Sequence, residues 1–413
     1  MMDKKYLLLG MGVGNTAVKR YFDSTNILYQ ILDSDQVPEY DILVKSSGIS
    51  PRNLIVESTK RNNKLVLSDL GLYSALIKDD YVVGVTGSNG KTTTSTLIYN
   101  ILSSKYKVAL CGNIGNPIFE NIDIKLKVIE CSSYMLDDCY KFLPNIFVIL
   151  NIKPHHLDYH KTFINYIKAK IKCIKNMCFD DYLIYNYDDL LVRKIVETYD
   201  CHKLSFSRFN DKSVVYLKEN IVYFNNKKYL KLDLINEALY DDFMASILVS
   251  KIFEIDDLII KNSLNNFEGI EHRYEIFYKS DDLICINDSK ATNPEATLRA
   301  FESTFTHFKD FQTLWIGGGK ICNENFELLK DEVEKFDFVY LFGENKEILK
   351  NKLNLTKVNQ LIFPRLDDVI NDIFKMKKGK LLVLFSPASP SFDQYKNYEE
   401  RGNKFKELIR KRV

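Results

Sequence analysis

Short apolar runs rich in β-branched residues alternate with helical stretches along almost the whole chain. That alternation leaves few folds open: it is the pattern of parallel sheets covered by helices. Tyr6–Leu9, Ile27–Ile31 and Asp41–Val44 read as strands, with turn-prone patches such as Gly10-Met-Gly-Val-Gly14 and Ser46-Ser-Gly48 after them. A second series runs through Tyr81–Val85, Lys107–Leu110, Lys127–Glu130 and Ile146–Leu150. Between Ser213 and Leu230 polar turns separate short strands, which predicts appended hairpins. A third series follows His272-Arg273, with strands at Leu283–Asn287, Gln312–Ile316, Phe338–Phe342 and Leu381–Phe385 and helices at Pro294–Ser303 and Tyr398–Arg410. At roughly 150 residues per domain, a chain of 413 should hold two to three domains. The series restart near 78 and near 270, so three α/β domains are expected, at 1–78, 79–270 and 271–413.

Composition excludes several classes. Hydrophobic residues at 46% and charged residues at 27% rule out wholesale disorder. A net charge of +2, from 57 basic and 55 acidic residues, speaks against a nucleic-acid or membrane partner held by bulk charge. The apolar run Tyr6-Leu-Leu-Leu-Gly10 is far too short to span a bilayer. The eight cysteines contain no Cys-x-x-Cys pair and no zinc spacing, and no signal peptide is read at Met1–Asp3. Reduced thiols in a cytoplasmic protein are expected, and nothing in the sequence calls for an obligate oligomer, so a monomer is expected too.

The sharpest local motif is Thr86-Gly-Ser-Asn-Gly-Lys-Thr-Thr-Thr94, between the apolar strand Tyr81–Val85 and the helical run Ser95–Ser103. A glycine-rich turn from strand to helix aims backbone N–H groups and a helix N-terminus at one point, which suits phosphates. Lys91 supplies a charge for the β/γ-phosphates and the Thr92 hydroxyl suits a Mg²⁺ ion. The spacing departs from the usual P-loop, with glycines at 84, 87 and 90. Gly10-Met-Gly-Val-Gly14 is less specific, because Asn15 and Thr16 stand where a dinucleotide fingerprint has its third glycine.

Gly87–Thr93 resembles the ATP loop of the Mur ligases, a loop that folylpolyglutamate synthases share. Gly112-Asn-Ile-Gly115, Glu130-Cys-Ser-Ser133 and Asn151-Ile-Lys-Pro-His-His-Leu-Asp158 are similar to that family's central motifs. Asn287-Asp-Ser-Lys-Ala-Thr-Asn293 and the stretch from Ser386 to Gly402 resemble its D-glutamate-adding branch. The resemblance implies a Rossmann-like first domain, a central P-loop ATPase-type sheet and a Rossmann-like third domain. It also implies an ATP-dependent ligase that phosphorylates the carboxylate of UDP-N-acetylmuramoyl-L-alanine and lets the amine of D-glutamate attack the acyl phosphate. Two readings remain beside it: a folylpolyglutamate synthase-type ligase, and a catalytically silent nucleotide-binding scaffold.

On that resemblance, Gly87, Ser88, Asn89, Gly90, Lys91, Thr92 and Thr93 cradle ATP, with Arg273 and Asp288 on its phosphates and ribose. Thr92, Glu130, His156 and Lys170 serve two Mg²⁺ ions, Lys170 as a carbamate. Near His156, His155 and His160 are expected to face solvent or pack locally. Lys290 acts beside the reaction centre. Asn113 and Ser132 meet the muramoyl moiety, and Val13, Gly14, Asp33, Ser34, Ser46 and Gly48 the uridine diphosphate. Thr292, Lys320, Ser391, Phe392 and Tyr398 meet D-glutamate. One segment departs from the family: Asn236-Glu-Ala-Leu-Tyr-Asp-Asp242 lacks the expected histidine, and Asp242 stands where an adenine-contacting asparagine is usual.

Overall fold

The computed structural model describes residues 1, 3–33, 36–232, 239–267, 269–322 and 324–413. The chain forms two compact units, Met1–Phe267 and Glu268–Val413. The architecture is α/β, with three parallel-rich sheets.

The first unit holds two of them. In the smaller, Tyr6–Leu9 lies between Tyr29–Ile31 and Ile42–Lys45, and Leu65–Leu67 closes the edge, all parallel. The strand expected from Ile27 begins only at Tyr29. Asn26 ends the helix Val13–Thr25 in a left-handed conformation, and the N–H of Ile27 turns back to Phe22 O at 3.1 Å. The edge strand Leu65–Leu67, three residues long, escapes the sequence pattern.

In the nine-stranded sheet, Tyr81–Thr86 runs parallel between Ile146–Ile149 and Leu126–Glu130. Its far edge is antiparallel, built from Val215–Lys218, Ile221–Phe224 and Lys227–Lys231, as the polar turns predict. Buried Tyr6, Leu70 and Tyr73 join the same apolar cluster as Cys111, Ile129 and Phe147, so the two sheets of this unit share one core. That shared core fixes the turns after the first sheet against those after the second.

The second unit is a six-stranded sheet. Glu275–Lys279 pairs antiparallel with Leu283–Asn287, and the remaining strands Leu381–Phe385, Gln312–Gly318, Phe338–Phe342 and Gln360–Phe363 follow in parallel. In both units turns that carry predicted site residues, among them Gly87–Gly90, Asp288 and Lys320, leave the C-terminal ends of parallel strands, where α/β sheets bind ligands; Arg273 instead precedes the antiparallel strand Glu275–Lys279.

Candidate active site

The phosphate loop is shaped from both sides. Gly90 has φ +83°, and a Cβ there would meet Asp242 Oδ1 at 2.5 Å, so the position admits only glycine. Helix Lys91–Leu102 starts at Gly90, which has no side chain to cap it. Its leading N–H groups and the positive end of its dipole therefore form an anion cradle, with buried Thr92 and Thr93 in the first turn. Ser88 and Asn89 brace the loop: their N–H groups donate to Asn151 O and Asn151 Oδ1, both at 2.9 Å. Ser88 Oγ also bonds Lys153 N at 2.8 Å and Tyr166 OH at 2.8 Å. Lys91 Nζ donates to Gly87 O at 2.9 Å and Ser88 O at 3.1 Å.

Asp242 accepts from Thr94 Oγ1 at 2.7 Å, which places it against the start of this helix. Residues 236–238 of its segment lie outside the described residues.

Glu130 ends the strand beside the loop, in register with Val85. It is 1% exposed. Asn113 Nδ2 donates to its Oε1 at 2.7 Å, whereas its Oε2 is buried and has no hydrogen-bond partner among the described residues. A buried carboxylate oxygen left unpaired is costly unless a cation belongs there. The Glu130 oxygen therefore fits a divalent ion. Among the described residues no three His, Cys, Asp or Glu side chains gather into a cage. An open arrangement of that kind suits Mg²⁺, which takes few protein oxygens and shares its shell with phosphates and water.

His156 caps the short helix Leu157–His160 at φ 53°. Its ring stacks on His155 with centroids 3.8 Å apart and lies 4.9 Å from the ring of Tyr134. His160 is buried and its Nε2 bonds Ser133 Oγ at 3.0 Å, which is local packing. The side chain of Asp158 lies outside the described part. Lys170, 1% exposed, points back at the loop: Nζ donates to Gly87 O at 2.7 Å and lies 3.4 Å from Thr86 Oγ1. Burial, then the charge of Lys91, pushes its amine well below the usual lysine range.

A cavity of about 270 Å³ gathers Val13, Gly14, Ser46, Gly48 and Asn113. Gly12 starts the helix Val13–Thr25 there and, like Gly90, has no side chain to cap it, so a second anion cradle faces the cavity. Ser46 Oγ accepts from Gly12 N at 3.1 Å and donates to Gly10 O at 2.8 Å, which holds the turn. Asp33 is exposed and Ser132 is buried, and neither is among the lining residues. Ser132 Oγ instead caps the helix Ser133–Asp137 through Met135 N at 3.2 Å. Ser34 lies outside the described residues.

In the second unit, Asp288 is buried between Tyr274 N at 3.0 Å and Ser386 Oγ at 2.7 Å. Burial pushes its carboxyl up to about 7, against the opposing pull of Ser386 and of Arg273. Lys290 Nζ lies 5.6 Å over the Tyr398 ring. Ser391 is buried, Phe392 is 69% exposed, and Lys320 Nζ pairs with Glu344 Oε2 at 2.9 Å. Thr292 is half-buried.

Arg401 stands outside the residues expected from the sequence. This fully buried guanidinium donates to Ser289 Oγ at 3.1 Å, Ser289 O at 2.8 Å and Ser389 O at 2.9 Å. It thereby locks together the loops that carry Lys290 and Ser391. The signal lay in Tyr398-Glu-Glu-Arg-Gly402, where an arginine on the apolar side of a helix asks for buried acceptors.

Residues 85–245 match the family model of the Mur ligase middle domain, which gives the class of protein that this sheet and its loop define. Solved structures agree on the fold. The chain is similar to the UDP-N-acetylmuramate–alanine ligase MurC of Thermotoga maritima (TM-score 0.64, 15% identity, 99% of this chain and 100% of that one). It is also similar to the MurF ligase of Thermotoga maritima in complex with ADP (TM-score 0.62, 19% identity, 92% and 98%). Among curated relatives, the UDP-N-acetylmuramoylalanine–D-glutamate ligase of Clostridioides difficile is 32% identical across 91% of this chain and 85% of that protein. The ligase of the same name from Caldicellulosiruptor bescii is 30% identical across 98% and 93%. The chain belongs to the UDP-N-acetylmuramoylalanine–D-glutamate ligase family, and is an ATP-dependent ligase of peptidoglycan-precursor synthesis. The folylpolyglutamate and scaffold readings have no support in these relatives.

Proposed function

We propose that the chain joins D-glutamate to the alanyl carboxylate of UDP-N-acetylmuramoyl-L-alanine with cleavage of ATP. The carboxylate takes the γ-phosphoryl group, giving an acyl phosphate and ADP. The D-glutamate amine then adds to the carbonyl carbon, and the tetrahedral intermediate expels phosphate and loses a proton as the amide forms. The observation that carries this reading is the helix start at Gly90 beside Glu130 Oε2, which is buried without a hydrogen-bond partner among the described residues: an anion cradle and a cation ligand side by side.

Lys91 and the N–H groups at the start of its helix neutralise the triphosphate. Divalent ions on Thr92, Glu130 and His156 supply further positive charge when bound. Lys170, whose amine is pushed toward the neutral form by burial and then by the charge of Lys91, is the group suited to add CO₂, with loss of a proton, and present a carbamate to that site. The cavity at Val13, Gly14, Ser46 and Gly48 takes the uridine diphosphate, with Asn113 on the muramoyl side. In the second unit Arg273 and Asp288 serve the nucleotide. Lys290 steadies the reacting charges, and Thr292, Lys320, Ser391, Phe392 and Tyr398 hold D-glutamate. The three-domain division at 78 and 270, a monomeric state and a cytoplasmic location belong to the same proposal. No helix among the described residues is long and apolar enough to cross a membrane.

ADP release with the muramoyl-alanine nucleotide tests it. Release should require the nucleotide and rise to steady turnover only with D-glutamate. Equal turnover with L-glutamate would overturn the assignment.

A further inference from the structure

Three loops converge at the end of strand Gln312–Gly318. Lys320 N donates to Pro390 O at 2.8 Å, and Gly319 N donates to Asn345 Oδ1 at 2.8 Å. Buried Asn345 reaches Ser389 Oγ through Nδ2 at 2.7 Å. On the other side, Glu344 N donates to Asp393 Oδ2 at 3.1 Å. With both backbones fixed, the two side chains meet, Lys320 Nζ to Glu344 Oε2 at 2.9 Å.

An ammonium held against a carboxylate by two fixed loops is also the grip that suits a free amino acid's carboxylate. We propose that Glu344 is a resident stand-in for the substrate carboxylate on Lys320, and that D-glutamate binds by exchanging places with it. The proposal rests on the reading that assigns Lys320 to D-glutamate. Both partners are part-exposed, at 46% and 40%, so the exchange needs no unfolding of the loops. An exposed pair is weak, so the competition sets affinity severalfold rather than abolishing binding.

Steady-state kinetics on the full chain test it. Glu344→Gln should lower KM for D-glutamate about two- to fivefold, with kcat and KM for ATP and for the muramoyl nucleotide unchanged. Lys320→Ala should raise KM for D-glutamate by at least tenfold, on the order expected for losing a charge-assisted contact. An unchanged KM in Glu344→Gln, with Lys320→Ala still raising it, overturns the stand-in and leaves the Lys320 assignment intact. A raised KM in Glu344→Gln overturns it too, because Glu344 would then be holding the substrate amine. An unchanged KM in Lys320→Ala removes the assignment itself, and the proposal with it.

Discussion

Lys91 and Lys170 donate to one carbonyl, that of Gly87, at 2.9 and 2.7 Å. Two ammonium groups on one oxygen repel each other, and only Lys170 is fully buried. The compromise falls on Lys170: burial, then Lys91, drives its amine toward the neutral form, while Cys131 and Glu130 oppose the shift. A neutral amine is the form that adds CO₂. The product is an anion, so a carbamate at Lys170 converts repulsion by Lys91 into attraction.

Lys170→Ala should therefore lower kcat by about 10²-fold, the scale of losing one preorganised electrostatic group. Formate or acetate should restore part of the activity, because a small anion can take the vacated place. CO₂-depleted buffer should slow the parent protein but leave the rescued variant unaffected. Full turnover in Lys170→Ala would remove it from the site.

The unpaired Oε2 of Glu130 makes a separate prediction. Glu130→Gln keeps the Asn113 contact within reach through its amide oxygen but withdraws the negative charge. The Mg²⁺ concentration for half-maximal activity should rise by about 10- to 100-fold, with little change in melting temperature. A Mg²⁺ titration that overlays the parent's would exclude Glu130 as a ligand.

Much of this site was legible in the sequence because its parts are local. A strand, three glycines, a lysine and a helix within Tyr81–Leu102 suffice to foresee an anion cradle. What stayed hidden depends on register and distance. The resemblance puts Ser132 on the substrate side, and the cap its hydroxyl makes on the next helix shows only in the structure, since a serine before a helical run satisfies the nearest N–H. Arg401 sits 112 positions from Ser289, and Glu344 pairs with Lys320 across a parallel strand pair; no periodicity encodes either contact. The edge strand Leu65–Leu67 is too short for alternation to show.

Asp288 should leave a signature in the pH dependence of the second unit's stability. Its folded carboxyl sits at about 7, above the ordinary value of 3.8. A raised folded value means that the protonated form is the one the fold favours. Its contribution is complete below pH 4 and is lost as pH rises through 7. At about 1.4 kcal/mol per pKa unit the loss is bounded near 4 kcal/mol. Melting curves from pH 4 to 8 should show a steeper decline for the parent than for Asp288→Asn. Parallel curves would mean that Asp288 titrates alike in the folded and unfolded chain.

Lys45 carries the last prediction. It ends the strand Ile42–Lys45, just before Ser46 of the cavity that Val13, Gly14 and Gly48 also line, and is completely buried. Its Nζ meets Asp138 Oδ2 at 2.9 Å, Ile49 O at 3.0 Å and Tyr159 OH at 3.1 Å. Tyr159 lies in the helix that His156 caps, so one ammonium ties the first sheet's loop to the segment bearing that histidine. Removing one member of a buried ion pair strands the other charge, which typically costs about 3–5 kcal/mol. Lys60 Nζ, 3.6 Å from Asp138 Oδ1, and Tyr159 OH still serve the carboxylate, so Lys45→Met should sit at the low end, about 3 kcal/mol. Adding Asp138→Asn removes the stranded charge and should recover part of that loss, a coupling that a double-mutant cycle reads directly. Urea unfolding of the parent, both single variants and the double variant supplies the four values. A single Lys45→Met variant within about 0.5 kcal/mol of the parent, the range of an ordinary surface change, would show that this pair does not hold the two elements together.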